Sequence, residues 1–148
     1  MKAVVQRVSD AEVFIDSKSH GKINKGMLVF LGIRSGDNET TVKWFAKKLA
    51  NLRIFPDSEG KMNKSVMEIQ DGGLLIISNF TLYGEISNGF RPSFSDAARP
   101  EHAEPLYNKL LDEIRDNYEV HLQSGVFGAM MQVRLTNDGP VTLIIEKD

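Results

Sequence analysis

The 148-residue chain has no cysteine. This excludes a disulfide framework, a thiolate zinc site, an iron–sulfur cluster and a cysteine nucleophile together, and it suits a reducing compartment. Long apolar runs are lacking too. The longest, Met27-Leu-Val-Phe-Leu-Gly-Ile33, falls far short of the roughly 20 residues needed to cross a bilayer. Lys2, Arg7, Asp10 and Glu12 break up any signal-peptide core at the N-terminus, so the expected setting is soluble and cytoplasmic, without membrane. Nor is there an excess of positive charge: 18 Lys and Arg against 20 Asp and Glu leave −2, which argues against coating long nucleic acid through its phosphates. The familiar catalytic signatures (GxSxG, HExxH, a P-loop, GxGxxG) are missing. His20, His102 and His121 are scattered. His102-Ala-Glu104 matches half of a zinc-deaminase signature without the cysteines that complete it, and Asp57-Ser-Glu-Gly60 is too short for a calcium loop. No metal and no cofactor are expected, and an enzyme made from this chain works without an obvious protein base.

What is present is ordinary for a globular domain: 41% hydrophobic and 26% charged residues. The length predicts one domain spanning 1–148, large enough to bury about 68–70% of its unfolded surface. Alternation predicts strands at 3–8 and 11–15, split around Ser9-Asp10, and another from Met27 to Arg34. Val42, Phe45, Ala46, Leu49 and Leu52 predict a helix near 39–52, with Asn38 or Thr40 as its cap. Ser65 to Ile69 and Leu74 to Tyr83 read as a hairpin across Asp71-Gly72-Gly73. Residues 84–100 read as a long loop, and 101–118 as a helix with a strong apolar stripe. Two last strands, near 129–136 and 141–147, meet at Thr136-Asn-Asp-Gly-Pro140. Strands outnumber helices and short turns join several of them. The expected fold is therefore α+β, a mainly antiparallel sheet or open β-barrel with two packed helices.

Charge is unevenly placed. Residues 43–64 carry six basic side chains against two acidic ones, and 101–119 carry six acidic against two basic. The first segment offers a basic face to a short piece of RNA; the plainer reading is two solvated helix faces.

Three segments stand out. Leu74-Leu-Ile-Ile-Ser-Asn-Phe-Thr-Leu82 starts as a strand buried on both faces and turns polar at Ser78, Asn79 and Thr81. By strand alternation Ser78 would share a face with Phe80, and Asn79 with Thr81. These are either hydrogen-bonded core polars or a polar pocket at a strand end. Asn137-Asp-Gly-Pro140 is either a hairpin turn or, with a cis Gly139–Pro140 bond, a rigid presentation of backbone carbonyls. Phe127-Gly-Ala-Met-Met131 is either core packing or an aromatic seat for a nucleobase.

Taken in order, Ala3-Val-Val-Gln-Arg-Val-Ser9, Asn51-Leu-Arg-Ile-Phe55, Gly60-Lys-Met-Asn63, Ser78-Asn-Phe-Thr-Leu-Tyr83, Arg91-Pro-Ser-Phe94, Phe127-Gly-Ala129 and Asn137-Asp-Gly-Pro-Val-Thr142 resemble the D-aminoacyl-tRNA deacylase (D-tyrosyl-tRNA deacylase) family over almost the whole chain. The resemblance implies a homodimeric hydrolase of translation quality control. It would cleave the ester between a D-amino acid and the 3′ end of a tRNA, with tRNA as its RNA partner, no DNA, and possible acceptance of glycine. By the same resemblance Gly139-Pro140 would be a Gly-cisPro motif inserted into the partner's active site to reject L-amino acids. Arg7 would hold that motif, and Phe127 and Met131 would lie near the terminal adenine. The family's strand motif reads Ser-Gln-Phe-Thr-Leu; here Asn79 stands for the glutamine, one methylene shorter.

Thr81 is the obvious hydroxyl, but a threonine nucleophile needs an activating base or its own N-terminal amine, and Thr81 is internal. The expected chemistry is water attack assisted by the substrate's ribose 2′-OH. Backbone N–H groups around Phe80 and Thr81 would stabilise the oxyanion, with Ser78, Asn79 and Thr81 shaping the pocket. Lys47, Lys48 and Lys64 are candidates for the acceptor stem. The competing readings are a noncatalytic RNA-end binding module and a generic small-molecule hydrolase.

Overall fold

The computed structural model describes residues 1–147 and is organised around one long strand. Strand β1 (Lys2–Ile15) is continuous where two strands were expected. Ser9 and Asp10 interrupt the apolar alternation but not the ladder, because β8 (Gln132–Glu146) pairs with β1 along its length. The last two expected strands are likewise one. Both halves of β8 run antiparallel to β1, so Asn137-Asp-Gly-Pro140 is not a hairpin turn.

Strand β2 (Lys18–Ile23) had no apolar pattern to reveal it. It returns on β1 through Asp16 and Ser17, both at positive φ (50° and 63°), the backbone signs of a tight hairpin turn without its usual glycine. β3 (Gly26–Gly32) continues in the same register along the first half of β1, antiparallel to it and on the edge opposite β8.

Next come helix α1 (Glu39–Asn51), the small pair β4 (Phe55–Pro56) and β5 (Met62–Lys64), β6 (Gly73–Ser78), helix α2 (Pro100–Asn117) and β7 (His121–Ser124). The order across the sheet is β2-β1-β3-β6-β7, with β8 on β1. β3, β6 and β7 run parallel and the pairs made by β1 run antiparallel. The sheet curls until Gly21 of β2 lies against Ser124 and Gln123 of β7, nearly closing a barrel.

The expected hairpin across Gly72-Gly73 does not form. Ser65 and Glu68 make reciprocal caps on a single 3₁₀ turn, Val66–Glu68, and β6 enters the centre of the sheet instead. Gly73 serves close packing: a Cβ there would fall 2.8 Å from Ile23 Cγ2, and one on Gly26 opposite would fall 1.9 Å from the Gly73 carbonyl oxygen.

Both faces of the sheet are covered. Ala3, Val5, Met27, Val29, Leu31, Leu74 and Ile76 pack under α1 and α2. Val8, Ala11, Val13, Leu28, Leu75 and Ile77 fill the inside of the curl. Helix α1 is capped by the Asn38 side chain, which accepts from Thr40 N and Thr41 N at 2.9 and 3.3 Å. It buries Val42, Phe45, Ala46 and Leu49. Helix α2 opens on Pro100, where a missing N–H costs nothing, and buries Leu106, Tyr107, Leu110 and Ile114. The Met1 ammonium is buried in an ion pair with Asp37, which also accepts from Arg34 N at 2.8 Å. His102 rests on the Asp37 carbonyl.

Candidate active site

Strand β6 ends at Ser78, and the chain turns at once into a 3₁₀ turn, Phe80–Tyr83. The strand alternation expected for Ser78 to Thr81 therefore does not apply. The last ladder-like bond is Asn79 N to Leu31 O at 2.8 Å. Asn79 then caps the turn: its Oδ1 accepts from Thr81 N at 3.2 Å and from Thr81 Oγ1 at 2.5 Å. A short amide suits this local loop; the longer glutamine would have to fold back on itself to make it.

Thr81 thus gives its hydroxyl proton to an amide oxygen, which is no base, and none of the hydrogen bonds to Thr81 involves a histidine. The Phe80 N–H makes no hydrogen bond among the described residues. Its side chain is 58% exposed and meets the edge of Phe94 with ring centres 5.1 Å apart. The site is an open shelf with a free backbone donor at its lip.

Behind the shelf lies a residue that the sequence showed only as part of a helical stripe. The buried Tyr107 hydroxyl donates to Ile76 O at 2.7 Å, and the same carbonyl accepts Gly125 N at 3.1 Å. Burial pushes the Tyr107 phenol up to about 12, partly offset by Ser124 and the Ser78 backbone. Its ring lies 5.9 Å from that of Phe127. Met131 packs over Gly125 and the end of β6, where Ile77 also lies. Ser78, Asn79, Phe80, Thr81, Phe127 and Met131 are thus gathered around the C-terminal ends of β6 and β7.

Arg7, Gly139 and Pro140 lie elsewhere. Asn137 pairs with Val8 and Thr142 with Gln6, so Asp138 to Val141 bulge from the ladder opposite Arg7. Proline cannot donate to a ladder, and a Cβ on Gly139 would fall 1.9 Å from Val141 N. The Gly139–Pro140 peptide bond is cis and both residues are exposed. Arg7 clasps the bulge: Nε donates to Asp138 O at 3.1 Å and pairs with the Asp138 carboxylate at 3.1 Å, while Nη1 donates to Ile54 O at 2.6 Å. From the other side the Asn137 amide donates to Arg7 O (3.0 Å) and Val141 O (3.1 Å).

One chain does not bring the two groups together. Arg7 pairs with Met27, which is level with Leu74 at the start of β6, whereas Ser78 ends that strand. The offset is about 13 Å along the strands and about 10 Å across them. Cavities of about 530 Å³ (between Lys2, Arg34, Tyr83 and Asp96) and 390 Å³ (between Trp44, Lys48 and Arg53) enclose neither group.

Comparison with known proteins decides the kinship. A family model described as D-Tyr-tRNA(Tyr) deacylase matches residues 4–146. The chain belongs to this family. A D-aminoacyl-tRNA deacylase of Fervidobacterium nodosum is 51% identical over 146 residues, covering 99% of this chain and 97% of the relative. A solved structure described as c-Myc DNA Unwinding Element Binding Protein superposes with a TM-score of 0.93 at 40% identity, covering 100% and 99% of the two chains. A second, described as a probable eukaryotic D-amino acid tRNA deacylase, has a TM-score of 0.82 at 15% identity over 97% of each chain, and shares the fold.

Against this deacylase background the arrangement has a limited chemical repertoire. It offers backbone donors, hydroxyls and an amide, but no general base among Ser78, Asn79, Phe80 and Thr81. No cluster of three or more metal-ligating side chains occurs among the described residues, and no described helix is long and apolar enough to cross a membrane. Sequence reasoning missed Asn137 as a clasp, Ile54 O as an anchor and Tyr107 as a support. Only Tyr107 left a signal, because a tyrosine in an apolar helical stripe needs a partner for its hydroxyl.

Proposed function

We propose that the chain, acting as one domain over residues 1–148, hydrolyses the ester of D-aminoacyl-tRNA to a free D-amino acid and tRNA in the cytoplasm, and accepts glycine esters as well. The observation that carries the reading is the shelf at the end of β6. It has a free Phe80 N–H and a Thr81 hydroxyl already committed to Asn79, which suits an oxyanion donor without a protein nucleophile. Water attacks the ester carbonyl, the Phe80 N–H receives the developing oxyanion, and the ribose 2′-OH of the substrate assists. The bond to the ribose oxygen then breaks, and that oxygen leaves with a proton. Ser78, Asn79 and Thr81 shape the pocket, and Phe127 and Met131 flank the terminal adenine.

The Gly139-Pro140 bulge, too far from its own shelf, reaches the shelf of a second copy in a symmetric homodimer. Its carbonyls there exclude an L side chain by clash and lost hydrogen bonding. Arg7 and Asn137 keep it rigid.

The test is deacylation of matched D- and L-tyrosyl-tRNA with chelator present. Rapid loss of the D ester alone supports the reading. Loss of neither ester favours the second reading, a noncatalytic nucleic-acid module, which has one observation behind it: the 40%-identical structure is described as binding a DNA element. Failure of uncharged tRNA to compete would point to a small-molecule hydrolase.

A further inference from the structure

We infer that the α1 face around Trp44, Lys47, Lys48, Arg53 and Lys147 binds the phosphate backbone of duplex RNA, receiving the acceptor stem of the tRNA whose 3′ end is being cleaved. This deepens the deacylase reading and rests on it.

The face is built from two stretches of chain, residues 44–53 and Lys147. Trp44 is half-buried on the core, edge-on to Phe45 at 5.2 Å. Its indole holds two ammonium groups: Lys48 Nζ lies 5.2 Å from the ring centre, and Lys147 Nζ, arriving from the far end of the chain, lies 5.9 Å away. Trp44, Lys47, Lys48, Asn51, Leu52 and Arg53 line one open cavity of about 390 Å³.

The cations are available. Lys47, Lys48 and Lys147 are exposed and make no ion pair among the described residues. The two acids of the 43–64 segment are already engaged. Asp57 accepts from Asn63 Nδ2, Glu59 N and Lys61 N, and Glu59 pairs with Lys61 at 3.1 Å. A chain of net charge −2 therefore presents one concentrated cationic patch with an aromatic floor, the footprint of nucleic-acid binding.

Position selects the partner. Arg53 is followed by Ile54, whose carbonyl is tied to Arg7, which in turn clasps the Gly139-Pro140 bulge. The patch therefore flanks the element that reaches the second subunit's shelf. RNA held by its 3′ end on one subunit continues over α1 of the other. An acidic protein would meet the same charge, but nothing would tie it to the bulge.

Trp44 is the single tryptophan, so its fluorescence reports this face alone. The probe is an uncharged RNA hairpin of acceptor-stem length, titrated into the whole protein at several salt concentrations. Binding should change Trp44 emission, and the Lys47→Ala/Lys48→Ala double variant should flatten the slope of log K against log salt by about 1.8, or about 0.9 per lost duplex phosphate contact. A control variant, Lys18→Ala/Lys25→Ala on and beside β2, should keep the wild-type slope. The same α1 double variant should raise KM for D-aminoacyl-tRNA.

An unchanged slope in the α1 double variant, or emission that responds to polyglutamate and not to RNA, overturns the inference. The two readings fail separately. Hairpin binding with the expected slopes but no ester cleavage keeps the face and refutes the deacylase; cleavage by a double variant with the wild-type slope and KM refutes the face alone.

Discussion

Replacing Tyr107 with phenylalanine tests how the support behind the shelf works. The ring and its packing against Phe127 stay, and only the hydroxyl is lost. Ile76 O would not be stranded, because Gly125 N still donates to it at 3.1 Å. The cost at neutral pH should therefore be that of one net hydrogen bond, about 0.5–1.5 kcal/mol, rather than that of a buried unsatisfied group. For a chain of this size this lowers Tm by about 2–5 °C.

The alkaline limb sharpens the test. Tyr107 is raised from 10.0 to about 12 in the folded protein. Its stabilisation is complete below pH 10 and is lost as pH rises through 12, because the unfolded chain releases the proton first. Wild type should lose about 1.4 kcal/mol per pH unit across that window through this residue, whereas the Phe variant has no such loss. Every other side chain is common to the two proteins and cancels in the difference. The two curves of unfolding free energy against pH, from urea titrations, should therefore cross at about pH 10.5–11. Curves that stay parallel to pH 12 would refute the buried donor, and a neutral-pH loss above about 3 kcal/mol would show that a buried partner had been stranded after all.

Arg7→Met removes the clasp on the bulge. It should cost about 1.5–3 kcal/mol for lost charged hydrogen bonds and lower the D:L ratio of ester cleavage, measured on matched tyrosyl-tRNAs; an unchanged ratio would remove Arg7 from selectivity. Thr81→Ala should deacylate within a few-fold of wild type in single-turnover assays, and a threonyl ester trapped on the protein would contradict the proposed water attack. Asp37→Asn removes the carboxylate paired with the buried Met1 ammonium, and should cost about 3–5 kcal/mol in urea unfolding. A variant as stable as wild type would show that the pair contributes nothing.

Much of the fold was legible where periodicity is strong. The two helices and the doubly buried run at 74–77 follow from side-chain spacing alone, whereas the structure decided between Asn38 and Thr40 as the cap in favour of Asn38. What failed to show were elements whose cause lies far away in the chain. β2 is polar and is held by its turn and by β1. The Gly72-Gly73 pair suggested a turn but serves close packing, Gly72 against the Val66 carbonyl and Gly73 against Ile23. The last strand continues through Gly139-Pro140 because β1 pairs with it on both sides of the bulge.

The site divides in the same way. Local sequence determined its chemical character: hydroxyls, an amide and an aromatic, with no thiol and no obvious general base. The ordered fragments determined the family. Only the tertiary structure decided that Asn79 caps Thr81, that the Phe80 N–H is left free and that Arg7 reaches across to Asp138. It also separated the bulge from the shelf. These outcomes rest on hydrogen bonds and strand registers between residues up to 136 apart in the chain, and such partners leave no periodic trace in the segments that contain them.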